Sequence, residues 1–253
     1  TRFLRAGLAL LLTAVLMSIA LYRSDRVSEE AVITEAVCDQ LMRNTTEGRQ
    51  ALISSIWWPP LATLLRLPFV AVLGLRAAPA ASLVVSSLFG VLLLFSLNRI
   101  MRKWGVGQER FLLLAAVMLH PGFLSACLGG TSGTAVLVLV ALTVFGLVEW
   151  VDSRRLRYLI YVALSAAGLA GLKFETAPWV AGVLLLVVLD SVDEGKVSGQ
   201  KEALITLALL PPLYLLALWM LMNWLIMGDA LYLFRSLASR RAFAGGEALF
   251  GGQ

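Results

Sequence analysis

The sequence predicts an all-α polytopic membrane protein, with seven transmembrane helices and two amphipathic helices beside the membrane on its outer face. Three observations carry this. Of 253 residues, 59% are hydrophobic and 15% charged, with mean hydropathy +0.85, where soluble domains hold roughly 45–50% apolar and about 25% charged residues. The apolar residues fall in runs of about 20, the length that crosses hydrocarbon roughly 30 Å thick. Lys and Arg collect in alternate connections, as the positive-inside bias requires. The net charge of +5 is therefore a matter of topology and gives no ground for nucleic-acid binding. One His and two Cys, His120, Cys38 and Cys127, are too few for a His/Cys metal site of the zinc-finger type.

The first span is Phe3–Tyr22, a membrane anchor whose uniform apolar run and lack of a small-residue cleavage site separate it from a signal peptide. The first residue is Thr, so the native start is expected upstream. Ser28–Arg43 is predicted helical, with Ser28 as N-cap, Glu29 and Glu30 in the first turn, and Val27, Ile33, Val37 and Leu41 on its apolar face. Gly48 should end this region. Pro59-Pro60 opens Leu61–Leu75, where Arg66 and Pro68 inside a short run favour a helix lying in the interface over a crossing one. Trp57 and Trp58 belong at headgroup level.

Further spans are expected at Ala78–Leu97, Phe111–Leu128, Gly133–Val151, Leu156–Leu172, Ala177–Leu189 and Ala203–Met227. Gly168 and Gly171 permit close helix approach. Glu149 is expected to snorkel to the interface. With these seven spans, the basic loops Asn98–Arg110, Asp152–Arg157 and Asp190–Glu202 share the cytoplasmic side with Arg2 and Arg5. The chain then reads as one domain, 1–253, with its N-terminus in the cytoplasm. The first outer loop (24–76) and the tail (228–253) lie outside. Cys38 and Cys127 also fall outside, where a disulfide is permitted but not demanded.

Several residues in this layout resemble, in order, a known family. Glu29-Glu30-Ala31 before an amphipathic helix resembles the acidic first loop of GT-C membrane glycosyltransferases. Pro59-Pro60-Leu61 and the run to Gly74 and Arg76 resemble the juxtamembrane helix of that fold. His120-Pro121 resembles its proline near the end of the third span, Gly171-Leu172-Lys173 its Leu-Thr-Lys turn, and Asn223-Trp224 through Gly228-Asp229 the exit from its seventh span. The relatives so indicated are bacterial protein mannosyltransferases and aminoarabinose transferases.

That resemblance implies a bacterial inner-membrane enzyme. It would transfer a sugar, with inversion, from a polyprenyl-phosphate donor to an acceptor at the outer face. Glu29 or Glu30, with Asp25 in reserve, would be the general base. Lys173, with Arg66 or Arg76, would hold the lipid phosphate; Trp57, Trp58 and His120 complete the implied substrate-binding set. The resemblance makes no cofactor certain and leaves a divalent metal as an option. The family's second outer-loop acid is missing, because that loop reads Gly129-Gly130-Thr131-Ser132. This departure, with the stop after the shared module, opens a second reading: an inactive subunit of the same fold, a membrane scaffold for protein partners. A transporter is a third, weakened by spans nearly free of charge. Plainer roles stand beside each site residue. First-turn acids suit the helix dipole, a boundary lysine anchors, paired tryptophans mark the interface, and a lone span-end His packs.

Overall fold

A computed structural model describes residues 28–54, 60–73, 78–193 and 198–232. The expected first span, Asp25, Trp57, Trp58, Arg76 and the tail beyond residue 232 lie outside the described residues. Within them the protein is all-helical: α1 (Glu29–Met42), α2 (Thr46–Ser54), α3 (Pro60–Leu73), α4 (Ala78–Lys103), α5 (Glu109–Leu119), α6 (Pro121–Leu128), α7 (Gly133–Ser153), α8 (Leu156–Leu172), α9 (Ala177–Asp193) and α10 (Ser198–Met227). A one-turn 3₁₀ segment, Phe174–Thr176, leads into α9.

Among the described residues four segments are long and apolar enough to cross a membrane: Ala81–Lys103, Gly133–Ser153, Phe174–Ser191 and Gly199–Met227. The stretch read as a third span is broken. α5 and α6 meet at 59°, because Pro121 cannot continue a helix through the carbonyl of the turn before it and His120 takes extended backbone to cap α6. α8, at 17 residues, is a shorter apolar helix. α9 runs four residues past the expected end, and α10 begins five residues early.

The bundle is centred on α8, which packs against α7 and α10, while α4 packs against α7. Trp150, Leu159, Val162, Val187 and Ala208 form one core cluster, and Leu93, Phe123, Cys127 and Val138 another. The close approaches expected of glycine occur. A Cβ on Gly168 would stand 2.9 Å from Leu139 of α7, and one on Gly171 would stand 2.9 Å from Leu215 of α10. Where the surroundings are as apolar as leucine, such intimate van der Waals contact is what joins helices.

Three expectations are corrected. The packed face of α1 is Ala31, Thr34, Glu35 and Cys38, not the Ile33–Val37–Leu41 stripe. These smaller residues admit α3 and α4 at close range, while Val32 stays 56% exposed. Gly48 does not end a helix; it lies inside α2, where an added Cβ would fall 2.7 Å from the backbone of Gln40. Asn44, at φ 58°, makes the turn after α1 instead. Glu149 does not snorkel. It is 4% exposed and ion-paired with Lys103 of α4, since a carboxylate inside a bundle is tolerated only with a partner.

Charged side chains gather at both ends of α7. At its C-terminal end stand Lys103–Glu149 and the Arg154–Asp190 pair. About 30 Å away by helix rise, its N-terminal end abuts the loop Gly129–Ser132 and the start of α1. Both cysteines are free thiols: Cys38 Sγ donates to the Thr63 carbonyl at 3.5 Å, and Cys127 is buried against α4.

Candidate functional site

The first turn of α1 is fixed at both its ends. Ser28 caps it as expected, its Oγ accepting from Ala31 N–H at 3.2 Å. The Ser28 N–H donates to the Gly129 carbonyl at 3.0 Å, which ties the helix start to the loop before α7. Glu29 then points outward and is exposed, while Glu30 turns inward with its side chain 11% exposed.

Glu30 Oε1 accepts from Ser132 N–H at 2.8 Å and from Arg66 Nη2 at 3.2 Å. Its second oxygen, Oε2, lies 3.9 Å from Lys173 Nζ. Residues 102 positions apart on one side and 143 on the other thus converge on one carboxylate. The single negative charge faces two positive ones, leaving an excess cation on the side of the partly exposed Lys173.

Arg66 sits on the inward face of α3 and is 2% exposed. Its guanidinium also donates to the Gly130 carbonyl at 2.7 Å and to Thr34 Oγ1. Among the described residues its hydrogen-bond partners all belong to α1 or the Gly129–Ser132 loop, so it holds Glu30 in place. Gly130 takes φ 69°, the left-handed region that side chains disfavour. A Cβ there would also come within 3.1 Å of Ser82 and Ala31.

Lys173 caps the end of α8 in extended conformation. Thr176 fixes it, donating to the Lys173 carbonyl from both Oγ1, at 2.7 Å, and its amide, at 3.1 Å. The ammonium is therefore carried on a stiff turn at the mouth of the site. The hydroxyls of Ser82 and Ser132 are buried beside this loop with no hydrogen-bond partner among the described residues.

Of the residues singled out in the sequence, the fold brings together Glu30, Arg66 and Lys173. Glu29 has no hydrogen bond or ion pair among the described residues. His120 is exposed, and its Nδ1 accepts from Gly122 N–H at 3.1 Å as the cap of α6. Eight residues of helix, about 12 Å, part it from Gly129. Asp25, Trp57, Trp58 and Arg76 lie outside the described residues. Among the described residues no three His, Cys, Asp or Glu side chains converge as metal ligands. Sequence reasoning missed the contribution of the second loop, which comes from the Gly130 carbonyl and the Ser132 amide. Backbone groups leave no residue-type signal beyond the run of glycines.

It also missed Glu35, 4% exposed one turn beyond Glu30, whose Oε1 accepts from Ser82 N–H at 3.0 Å. Burial pushes the Glu35 carboxyl above its ordinary 4.5, against the pull of the Ser82 N–H hydrogen bond and the Arg66 charge. A carboxyl raised in the folded state stabilises it below the unfolded value, and that contribution is lost as pH rises through the folded one. Replacing Glu35 by Gln keeps an acceptor for Ser82 and removes the titration. The stability of Glu35→Gln relative to wild type should therefore climb as pH is raised from about 4 to about 8. Thermal unfolding in detergent across that range checks this; a constant difference, or one that falls, contradicts it.

No family model, curated protein or solved structure matches this chain.

Proposed function

We propose that the protein is a membrane glycosyltransferase of GT-C type, moving a sugar from a polyprenyl-phosphate donor to an acceptor at the outer face of the bacterial inner membrane. One observation carries the reading: the first-loop carboxylate Glu30 is fixed on one oxygen and turned on the other toward Lys173, an ammonium at the site's mouth. Acceptor activation needs an oriented carboxylate. Departure of a lipid phosphate needs a cation placed where charge develops.

In the mechanism, Glu30 Oε2 takes the proton from the acceptor nucleophile as it attacks the anomeric carbon. The carbon–oxygen bond to the lipid phosphate breaks with inversion. The freed phosphate carries the bonding pair and is held by Lys173. Arg66 and the Ser132 amide keep Glu30 aimed; in this reading Arg66 positions the base and does not touch the phosphate. Broken α5–α6 and short α8 each serve, in this reading, as a span beside the four long helices, and the Glu30 end faces outward. The span expected from sequence at Phe3–Tyr22 lies outside the described residues.

The second reading is a scaffold subunit of the same fold. The observation favouring it is that Glu30 is already tied to backbone and arginine, in a second loop without a carboxylate. A density map of the protein in lipid nanodiscs with a polyprenyl phosphate added separates the two. The enzyme reading places the lipid phosphate beside Lys173, within reach of Glu30 Oε2. A map with no lipid there in the presence of saturating polyprenyl phosphate would overturn it.

A further inference from the structure

At the opposite end of α7 from Glu30, a cavity of about 600 Å³ opens between α4, α7 and α8. Its rim carries Arg99, Lys103 and Arg157, and its wall runs on through Leu139, Leu142 and Leu164. From Arg157 to Leu164 is about 10 Å along α8, so a charged mouth gives way to an apolar channel down the side of the bundle. Leu164 is 58% exposed and Tyr161 50% exposed, which leaves the channel open sideways.

The rim cations are not equally engaged. Lys103 is ion-paired with Glu149 and sits 5.5 Å and 5.4 Å from the ring centres of Phe145 and Tyr158. Arg157 stacks on Tyr158 at 4.6 Å and donates to its hydroxyl at 2.9 Å, which leaves further guanidinium N–H groups unused. Arg99 has no hydrogen bond or ion pair among the described residues, and neither has the adjacent Arg102, which lines a second hollow on the same turn of α4. Against one buried carboxylate, Glu149, the rim thus presents an uncompensated positive charge. It does so on the end that the positive-inside bias assigns to the cytoplasm.

We propose that this cavity binds one anionic phospholipid of the cytoplasmic leaflet. Its phosphate would be held between Arg99 and Arg157, and one acyl chain would lie along Leu139, Leu142 and Leu164. Guanidinium forks match phosphate oxygens in pairs, and basic pockets between membrane helices select anionic headgroups by that contact. The site is separate from the Glu30 cluster and does not depend on the transferase reading.

Native mass spectrometry of the purified protein with phosphatidylglycerol or phosphatidylcholine tests it. Wild type should retain phosphatidylglycerol in preference to phosphatidylcholine. Arg99→Gln should lower phosphatidylglycerol retention by about fivefold and leave phosphatidylcholine unchanged. Arg155→Gln removes one charge at the same end without lining the cavity, and should change retention less than twofold. Equal retention of the two lipids by wild type overturns the proposal. So does an equal loss from the two variants, which would reduce the effect to bulk attraction. Arg99 is exposed and has no ion pair among the described residues, and an unaltered gel-filtration profile verifies that the variant is folded.

Discussion

Replacing Arg66 by Leu should destabilise the protein by about 3 kcal/mol, the low end of the range for breaking a buried ion pair. The side chain is 3% exposed and makes contacts to Thr34, Glu30 and Gly130. Leucine fills the volume of the stem but leaves the Gly130 carbonyl without its donor and Glu30 short of a cation. Lys173 and the Ser132 amide remain to Glu30, which is why the low end applies. Losing both charges should be milder than losing one. The double variant Glu30→Leu/Arg66→Leu should therefore recover more than half of the loss. Titration of the detergent-solubilised protein with SDS measures both. A single-variant change below about 0.5 kcal/mol, the size of an ordinary surface substitution, would show that the cluster does not hold the first loop.

The helices were largely legible from apolar runs of membrane length, but the break at Pro121, inside the stretch read as one span, was not. The family resemblance set Glu29 or Glu30 with Lys173, and the fold brings Glu30 of that pair to within 3.9 Å of the Lys173 ammonium. The inward face of α1 was not legible. In a soluble protein a Val/Ile/Leu stripe marks the core, but here Ala31, Thr34 and Cys38 are inside and Val32 is out. The face that admits α3 and α4 at close range is marked by small side chains, not by the larger apolar ones. Glu149 was misplaced for a related reason. Its partner Lys103 is 46 residues earlier, and nothing local to α7 announces the pairing that lets a carboxylate stay buried. Arg66 was expected to hold phosphate, and its charge and position invited that. Only the fold reveals that both its terminal nitrogens donate to α1 and the Gly129–Ser132 loop.

The Glu30→Gln variant should lose sugar transfer by about 100-fold or more, the usual contribution of a general base. The amide keeps an oxygen for Ser132 N–H and Arg66, so the loop stays in place. What disappears is the ability of the second position to accept a proton. Glu29→Gln should remain within about twofold of wild type, because Glu29 is exposed on the outer side of the same turn and has no partner among the described residues. The measurement that tests the transferase reading most directly is the release of polyprenyl phosphate from a radiolabelled polyprenyl-phosphate sugar. It is made in proteoliposomes supplied with a membrane extract as the source of acceptor, and compares wild type, Glu29→Gln and Glu30→Gln. Turnover by wild type and Glu29→Gln that collapses in Glu30→Gln is the predicted result. Equal turnover in all three, or donor left intact by wild type, would contradict it.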